Sequence, residues 1–388
     1  MTKIKVCYIS LSAYKLFDSN SQTAFGGSEL QCYLQASELA KDANFDVYFL
    51  VNDRLGNNDF KKINGVMIYR LKRYTRNRWR GNFLKSLFNF FNAIRKINTD
   101  VYIQKAAGIE TGMAALFCKL FRKKFIYMTA CPWDVNGEYV KKGLRGKIFL
   151  FGLKNADLII TQNEEQRKLL KEKFGLESIV VKNAFPLKML SDAEYADKKF
   201  ILWVSSSQQL KRPDLFLEIT KSFPREKFIM IMPCNDPMLF KKIQENAKHY
   251  NNLEFIESVP FEESDGYFRK AKIFINTSDF EGFPNTFIQA AENKTPILSL
   301  NVNPDNILYS EKNKDSELNS TSVGFCANGD FNKMIARLKI LLENKNLRQE
   351  MSENGWNYAR ENHDIKKIIE QDKKIIFNLL KPSLEPRP

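Results

Sequence analysis

The feature that most constrains the fold is an alternation of short apolar runs with longer amphipathic stretches, which occurs twice. In the first half, apolar runs predict strands at 4–10, 47–51, 66–71, 101–104, 125–129, 158–161 and 179–182. In the second half, they predict strands at 200–204, 228–232, 253–258, 273–276 and 297–300. The stretches between them predict helices at 28–41, 82–97, 166–174, 213–222, 236–249, 262–270 and 286–293. Because apolar strands that alternate with helices favour parallel sheets covered on both faces, we expect two doubly wound α/β domains facing a cleft.

The length of 388 residues also suits two domains. The polar, turn-rich segment 183–199 separates the two alternating blocks and is the expected hinge. We therefore place a first domain at residues 1–185 and a second at residues 186–364. An amphipathic helix is predicted at 365–380, before a proline-rich tail.

Composition excludes several classes of protein. No apolar run approaches the roughly 18 residues that span a bilayer, and the N-terminus leads directly into a predicted strand, so we expect no signal peptide. The six cysteines are scattered without a C-x-x-C pair, which predicts reduced thiols in a cytoplasmic protein. Only two histidines occur, which excludes a histidine-rich metal site.

The net charge of +15 belongs to the first half of the chain. Residues 1–185 hold 31 Lys and Arg against 16 Asp and Glu, whereas residues 186–388 hold 29 of each. No acidic residue occurs between Lys61 and Thr99. This asymmetry favours a surface in the first domain that meets an anionic partner.

A basic run at 70–80 precedes the aromatic-rich amphipathic stretch at 82–97. The cations Arg73, Arg76, Arg78 and Arg80 favour contact with an anionic membrane surface. For the aromatic side chains, packing in the domain core is favoured over membrane contact. No nucleic-acid partner is expected, because no DNA- or RNA-binding motif accompanies the charge.

The segment 278–292 says most about function. It follows a predicted strand and leads into a predicted helix, so Glu281, Gly282 and Pro284 lie in a strand-to-helix loop. In an open α/β sheet, ligands bind at such loops, and N–H groups at the start of a helix can meet an anion. A carboxylate beside an anion site suits contact with sugar hydroxyls.

Two further loops follow predicted strands in the same way. Gly26 and Gly27 precede the first helix, where a backbone can approach a phosphate or sugar closely; a plain turn with Ser28 as helix N-cap is equally favoured. Lys211 and Arg212 precede a helix with Pro213 near its first position. Two cations at a helix N-terminus favour a pyrophosphate, and an ordinary solvated loop is the alternative.

Taken together, Gly26-Gly27, Lys211, the block 278–285 and Pro304-Asp305 resemble retaining nucleotide-sugar glycosyltransferases of family 4. The resemblance covers almost the whole chain and implies the GT-B fold, in which a C-terminal helix, here within 365–388, crosses back to the first domain. It implies that Glu281 contacts the donor sugar and that Lys211 binds the donor phosphates. The implied donor-binding residues are Gly26, Gly27, Ser206, Lys211, Arg212, Glu281, Gly282, Phe283, Pro284, Asn285, Thr286 and Gln289.

The sequence departs from the family pattern at three places. Gln289 stands where the family's E-x7-E motif has its second acid, and Glu292 is a possible substitute. Ser205-Ser206 replaces a Gly-Arg pair, for which Arg212 is the expected substitute. The first domain has no histidine; Asp134 is the candidate to hydrogen-bond a sugar there, although a surface Asx turn is the favoured interpretation.

The resemblance implies a cytoplasmic hexosyltransferase, peripheral on the inner face of the cell membrane. It would move a sugar from a UDP- or GDP-sugar to a lipid-linked or polysaccharide acceptor, with retention of configuration. No D-x-D triplet occurs, so we expect neither metal nor cofactor. The alternatives are a catalytically weak sugar-nucleotide-binding or scaffold protein and, less favoured, a nucleic-acid-binding protein that uses the basic first domain.

Overall fold

The computed structural model describes residues 2–17, 26–52, 60–71, 83–188, 198–311 and 321–381. The chain divides into two compact units. Unit 1 holds the described residues up to Pro186 and those from Ile365 onward, and unit 2 spans Leu187–Asp364. The predicted hinge at 183–199 lies partly outside the described residues.

Unit 1 is built on an eight-stranded sheet in the order β3-β4-β2-β1-β5-β6-β7-β8. Its strands are β1 (Ile4–Ile9), β2 (Phe45–Asn52), β3 (Phe60–Ile63), β4 (Val66–Leu71), β5 (Val101–Lys105), β6 (Lys124–Met128), β7 (Leu158–Thr161) and β8 (Ile179–Val180). Its helices are α1 (Gly27–Leu39), α2 (Phe83–Ile97), α3 (Ile109–Phe121), α4 (Gly143–Lys154), α5 (Glu164–Phe174) and α12 (Ile365–Leu380). All pairs are parallel except β3 with β4. Helices cover the sheet, as the alternation predicts.

The antiparallel edge strand β3 was not among the predicted strands. It joins β4 through Asn64 and Gly65, whose φ angles are 49° and 82°. Left-handed conformations at both positions are what a two-residue hairpin turn needs, and Asn-Gly is the dipeptide that supplies them. The hairpin signal was therefore present in the sequence.

Helices α3 and α4 pack backbone to backbone. A Cβ added at Gly152 of α4 would lie 2.5 Å from the Thr111 carbonyl carbon, and one at Gly112 of α3 would lie 2.3 Å from the Ile148 carbonyl oxygen. Only glycine permits this approach. Gly152 therefore weakens the helix propensity of α4 but allows α4 to pack closely against α3.

The C-terminal helix α12 belongs to unit 1 and packs on α1. The Ile365 N–H donates to the carbonyl of Phe185 at 3.0 Å, and Lys373 pairs with Asp42 at 2.6 Å. Asp372 is buried, which raises its pKa to about 7 despite the charge of Lys105.

Unit 2 is built on a six-stranded sheet in the order β11-β10-β9-β12-β13-β14, and all of its strand pairs are parallel. Its strands are β9 (Phe200–Val204), β10 (Phe228–Ile231), β11 (Leu253–Ile256), β12 (Ala271–Asn276), β13 (Ile297–Ser299) and β14 (Gly324–Cys326). Its helices are α6 (Pro213–Ser222), α7 (Pro237–Ala247), α8 (Phe261–Lys270), α9 (Asn285–Glu292), α10 (Phe331–Glu343) and α11 (Lys345–Asn362). The prediction of two Rossmann-like domains with parallel sheets is confirmed.

Each unit has its own apolar core. The core of unit 1 gathers aromatic side chains such as Phe90, Phe117 and Phe149, and that of unit 2 is centred on Trp203 and Phe216. The six cysteines are free thiols. Across the described ranges, no helix has both the length and the apolar character that a bilayer crossing requires.

Candidate functional site

The order of the strands in unit 2 marks one place in its sheet. From β9 the chain moves outward through β10 and β11, and it then returns to the other side of β9 to build β12, β13 and β14. The order therefore reverses between β9 and β12. In open α/β sheets, ligands bind at such a reversal, beyond the carboxyl ends of the strands.

The two loops that leave this point are tied to each other. The N–H of Asp279 donates to the carbonyl of Leu210 at 2.9 Å. The hydroxyl of Thr277 donates to the carbonyl of Lys211 at 2.7 Å, and the indole N–H of Trp203 donates to that hydroxyl at 2.9 Å. The loop after β9 and the loop after β12 are thus held together by hydrogen bonds.

Lys211 and Glu281 meet on these loops. The Lys211 Nζ lies 2.8 Å from Glu281 Oε2, and the two side chains are only 15% and 16% exposed. The other carboxylate oxygen, Oε1, accepts hydrogen bonds from Asn276 Nδ2 at 2.9 Å and from Ser278 Oγ at 2.7 Å. The carboxylate is therefore held in one orientation.

The same contacts keep Glu281 ionised. Burial alone would raise the pKa of the carboxyl, but the charge of Lys211 and the hydrogen bonds from Lys211, Ser278 and Asn276 outweigh burial and lower the pKa below its ordinary value. An ionised carboxylate accepts about four hydrogen bonds, and an ammonium donates three. These partners occupy three acceptor positions of Glu281. The carboxylate can therefore accept one more hydrogen bond, from a hydroxyl, while Lys211 can donate to an anion without breaking the ion pair.

Helix α9 begins at Asn285, four residues after Glu281. Its N-cap is Pro284, whose carbonyl accepts a hydrogen bond from the N–H of Phe287 at 3.0 Å, and the N–H groups of its first turn point out of the N-terminal end of the helix. These N–H groups carry the positive end of the helix dipole. The predicted contributions of Gly282, Asn285 and Thr286 to donor binding remain predictions.

The side chain of Phe283 points into the unit. It stacks on Tyr358 with ring centroids 6.5 Å apart and contacts His363 at 4.6 Å. The Tyr358 hydroxyl in turn donates to Asp305 at 3.3 Å. Phe283 thus anchors the loop of Glu281 to α11 and to the turn Pro304–Asn306. Sequence reasoning did not identify Tyr358 or His363, because they lie about 75 residues further along the chain.

Arg212 and Ser206 have partners within unit 2. The Arg212 guanidinium lies 3.4 Å from Asp214 and 3.5 Å from Asp279 and is about one-third exposed. The Ser206 hydroxyl accepts from Gln208 Nε2 at 2.9 Å. Arg212 thus lies beside Lys211 at the start of α6, whose first residue is Pro213 as predicted.

Gln289 and Glu292 both point inward from α9. Gln289 Nε2 donates to Ser264 Oγ at 2.9 Å. Glu292 Oε1 accepts from the N–H of Lys188 at 2.6 Å, and burial, reinforced by Asp265, raises its pKa to about 8. A carboxyl that is buried and protonated at neutral pH is poorly placed to replace the second acid, so the geometry does not favour that substitution.

In unit 1, α1 begins at Gly27 with Gly26 as its N-cap, so the glycine pair opens the first helix as predicted. The interpretation of Ser28 as the N-cap is wrong. Ser28 is the second residue of the helix, and its hydroxyl donates to Glu29 Oε2 at 2.8 Å.

The interpretation of Asp134 as part of a surface turn is also wrong. Asp134 is buried, and its carboxylate accepts hydrogen bonds from the N–H groups of Ala107 at 3.2 Å and Ala130 at 2.6 Å. Burial raises its pKa against these hydrogen bonds. The side chain joins the loops after β5 and β6, which supports a structural role over contact with a sugar.

Among the described aromatic side chains of α2, Phe90 is buried and Phe91 packs against the core, as favoured, but Phe88 is 65% exposed. The cations of the predicted membrane contact, Arg73, Arg76, Arg78 and Arg80, lie outside the described residues.

The chain is similar in sequence to known glycosyltransferases. Residues 188–358 match the family model "Glycosyl transferases group 1". An uncharacterised glycosyltransferase of Methanocaldococcus jannaschii is 25% identical over 355 residues, covering 77% of this chain and 84% of that protein. The amylovoran biosynthesis glycosyltransferase AmsD of Erwinia amylovora is 24% identical over 285 residues, covering 70% of this chain and 76% of AmsD.

Solved structures show the same fold. Sucrose-phosphate synthase from Thermosynechococcus elongatus superposes with a TM-score of 0.77 at 15% identity, covering 98% of this chain and all of that one. The pneumococcal O-GlcNAc transferase GtfA, solved with UDP and GlcNAc, has a TM-score of 0.68 at 12% identity and covers 98% of this chain. The GT-B fold is thereby confirmed, and the sequence matches support a glycosyltransferase.

Proposed function

We propose that the protein transfers a sugar from a nucleotide-diphosphate donor to a lipid-linked or polysaccharide acceptor. The observation that carries the proposal is the pair of Lys211 and Glu281 at the strand reversal of unit 2, 2.8 Å apart on two bonded loops. A cation beside a fixed, ionised carboxylate suits a ligand that joins a diphosphate to a polyhydroxyl group. A nucleotide sugar has that composition.

In the proposed reaction, Glu281 accepts hydrogen bonds from the donor sugar while Lys211, Arg212 and the first N–H groups of α9 face the diphosphate. The bond between the anomeric carbon and the diphosphate oxygen breaks, and the acceptor hydroxyl oxygen bonds to the same face of that carbon. The hydroxyl proton passes to the departing diphosphate. The protein contributes positioning and stabilisation of the leaving charge, and configuration is retained.

We further propose that the reaction needs no metal ion or cofactor, because Lys211 and Arg212 supply positive charge where the diphosphate would bind. The acceptor is assigned to unit 1, whose half of the chain carries the whole excess of cations. An acceptor that is anionic, or that is embedded among anionic lipids, would be attracted by this positive charge. The same charge suits a cytoplasmic location with peripheral binding to the membrane.

The proposal is tested by thermal unfolding in the presence of a panel of UDP- and GDP-sugars, followed by transfer assays with the sugar that stabilises most. A ligand at 100 times its Kd stabilises the folded state by about 2.7 kcal/mol. The change Glu281→Ala should abolish transfer, whereas Glu226→Ala should not. Glu226 is the matched control because it also lies 2.8 Å from a lysine, Lys272, but away from the strand reversal.

A second candidate function is supported by Gln289. With an amide in place of the family's second acid, the site would retain donor binding without effective turnover, as in a scaffold protein of the same fold. The two functions separate in one experiment. Stabilisation by a nucleotide sugar without transfer or hydrolysis favours the scaffold, and stabilisation by none of the panel rejects both.

A further inference from the structure

Unit 1 exposes large apolar side chains on helices that otherwise supply its core. Phe88 of α2 is 65% exposed and Leu120 of α3 is 64% exposed, and Leu116 and Phe121 of α3 are also exposed. We call these four residues the apolar patch. Single exposed apolar residues are ordinary, whereas several on neighbouring helices indicate an interaction surface.

The patch is continuous with the core beneath it. The rings of Phe117 and Phe121 lie 4.5 Å apart, and those of Phe91 and Phe117 lie 5.8 Å apart. Phe88 lies one helical turn before Phe91, and Leu116 lies one turn before Leu120. Since Phe117 is buried and contacts both Phe91 and Phe121, it ties the exposed parts of α2 and α3 to the core.

The neighbouring helix α4 extends the surface. It presents Leu144 and Phe151, both exposed, and its glycine-mediated contact with α3 holds the two helices at a fixed separation. A surface built on packed helices can bind without first being ordered, which lowers the cost of binding.

The charges on these helices have one sign. Residues 83–97, 109–123 and 143–154 contain a single acidic residue, Glu110, and it is buried. The exposed cations of the same segments include Lys85, Lys119, Arg122, Lys147 and Lys154. The surface therefore combines apolar side chains with cations and, within the described residues of these helices, has no exposed carboxylate.

This combination selects one occupant. A second copy of the chain would bring like charges together across a symmetric contact, which is unfavourable. A nucleic acid would meet the cations but would gain little from exposed leucines and phenylalanines. An anionic bilayer meets both, because its headgroups attract the cations and its acyl boundary accepts the apolar side chains.

We propose that the apolar patch and the surrounding cations of α2, α3 and α4 dock unit 1 on an anionic lipid surface. This proposal names the surface for the peripheral membrane binding in the proposed function. It rests on the proposed function for the biological role of docking, but lipid binding itself can be measured without it. It does not depend on the cations at 73–80, which every variant below retains.

The experiment measures cosedimentation of the full chain with phosphatidylcholine vesicles that contain or lack phosphatidylglycerol. The triple variant Phe88→Ser, Leu120→Ser, Phe121→Ser removes three exposed apolar groups and should lower binding by more than about tenfold. The variant Lys85→Ser, Lys147→Ser should lower it by about 30-fold, at roughly 1 kcal/mol for each cation near the surface.

Two controls make the same chemical changes in unit 2. Met238→Ser removes an apolar side chain that is 85% exposed, and Lys241→Ser, Lys242→Ser removes two exposed cations. Both should bind vesicles as the unaltered chain does. The single variants Phe88→Ser and Leu120→Ser replace the triple variant if it does not fold, and each should reduce binding in the same direction.

Three results would overturn the inference: no binding of the unaltered chain to phosphatidylglycerol vesicles, equal binding by the apolar variants, or a dimer in sedimentation velocity that the apolar variants dissociate. Competition by an RNA oligomer that persists in the apolar variants would assign the cations to nucleic acid instead. Nucleotide-sugar stabilisation of unit 2 is measured separately, so its failure would reject the proposed function and leave the docking result standing.

Discussion

The hydrogen bond from Ser278 to Glu281 gives the sharpest test of how the site is held. Ser278 is buried, and its hydroxyl donates to Glu281 Oε1 at 2.7 Å. The change Ser278→Ala removes this donor but leaves the hydrogen bond from Asn276 and the ion pair with Lys211. The variant therefore keeps the Glu281 carboxylate but holds it less firmly in its orientation and in its ionised form.

The size of the effect follows from the charge on the acceptor. A hydrogen bond to a charged group contributes about 1.5–3 kcal/mol. Because the hydrogen bond from Ser278 favours the ionised form, its loss should raise the pKa of Glu281. Misplacement of the carboxylate should also lower transfer at pH 7 by about tenfold.

The assay is the pH dependence of kcat/KM for transfer between pH 4 and pH 8. The acid limb should move to higher pH in Ser278→Ala, and Ser278→Thr, which keeps the hydroxyl, should restore it. Ser352→Ala is the matched control, since Ser352 is a buried serine of α11 whose hydroxyl donates to the Arg348 carbonyl. If the acid limb of Ser278→Ala coincides with that of the unaltered chain, the hydrogen bond does not set the ionisation of Glu281.

Three further predictions concern the buried polar side chains Gln289, Glu292 and Asp134. Gln289→Ala should weaken binding of UDP or GDP by about tenfold while leaving inorganic pyrophosphate binding unchanged, which competition calorimetry would show; equal losses for both would remove Gln289 from nucleoside recognition. Glu292→Gln should flatten the pH dependence of unfolding: the folded pKa of Glu292 is raised to about 8, so its contribution is present below the unfolded pKa and is lost as pH rises through about 8. In urea unfolding at pH 5 and pH 8, the variant should be more stable than the unaltered chain at pH 8 by about 1–3 kcal/mol. An unchanged pH dependence would contradict the raised pKa of Glu292. Asp134→Ala should destabilise unit 1 by about 3 kcal/mol, because it leaves the buried N–H groups of Ala107 and Ala130 without their acceptor; a loss of transfer with unchanged stability would restore Asp134 to the catalytic site.

The sequence predicted most of the fold because apolar periodicity is strong in buried parallel strands. The bounds of β4, β7, β9, α6 and α12 agree with the structure to the residue. Helix α3 was not among the predicted helices, since burial on most of its sides removes the polar face that marks an amphipathic helix. Helix α4 was missed because Gly146 and Gly152 weaken helix propensity. The backbone at Gly152 packs against α3 and the backbone at Gly146 packs against Tyr139 and Val140, and neither contact is visible in a helical pattern.

The candidate site was predicted in outline for a topological reason. Loops at the carboxyl ends of parallel strands meet at one edge of the sheet, so Lys211 and Glu281 were expected together. The adjacency of β9 and β12, which brings them to 2.8 Å, depends on strand order and is not visible locally. Asn276 and Ser278 were not assigned a role, because side-chain orientation in a turn depends on hydrogen bonds that form only in the folded loop.

The central claim is that Glu281 recognises the sugar and Lys211 the diphosphate. The direct test is calorimetric binding of UDP, GDP and the most stabilising nucleotide sugar to the unaltered chain and to Glu281→Gln. The variant keeps the shape of the side chain but loses its charge, so it should bind the nucleotide sugar about 10- to 100-fold more weakly and retain nucleoside diphosphate binding. Equal weakening of both ligands, or no weakening of the nucleotide sugar, would contradict this division of roles.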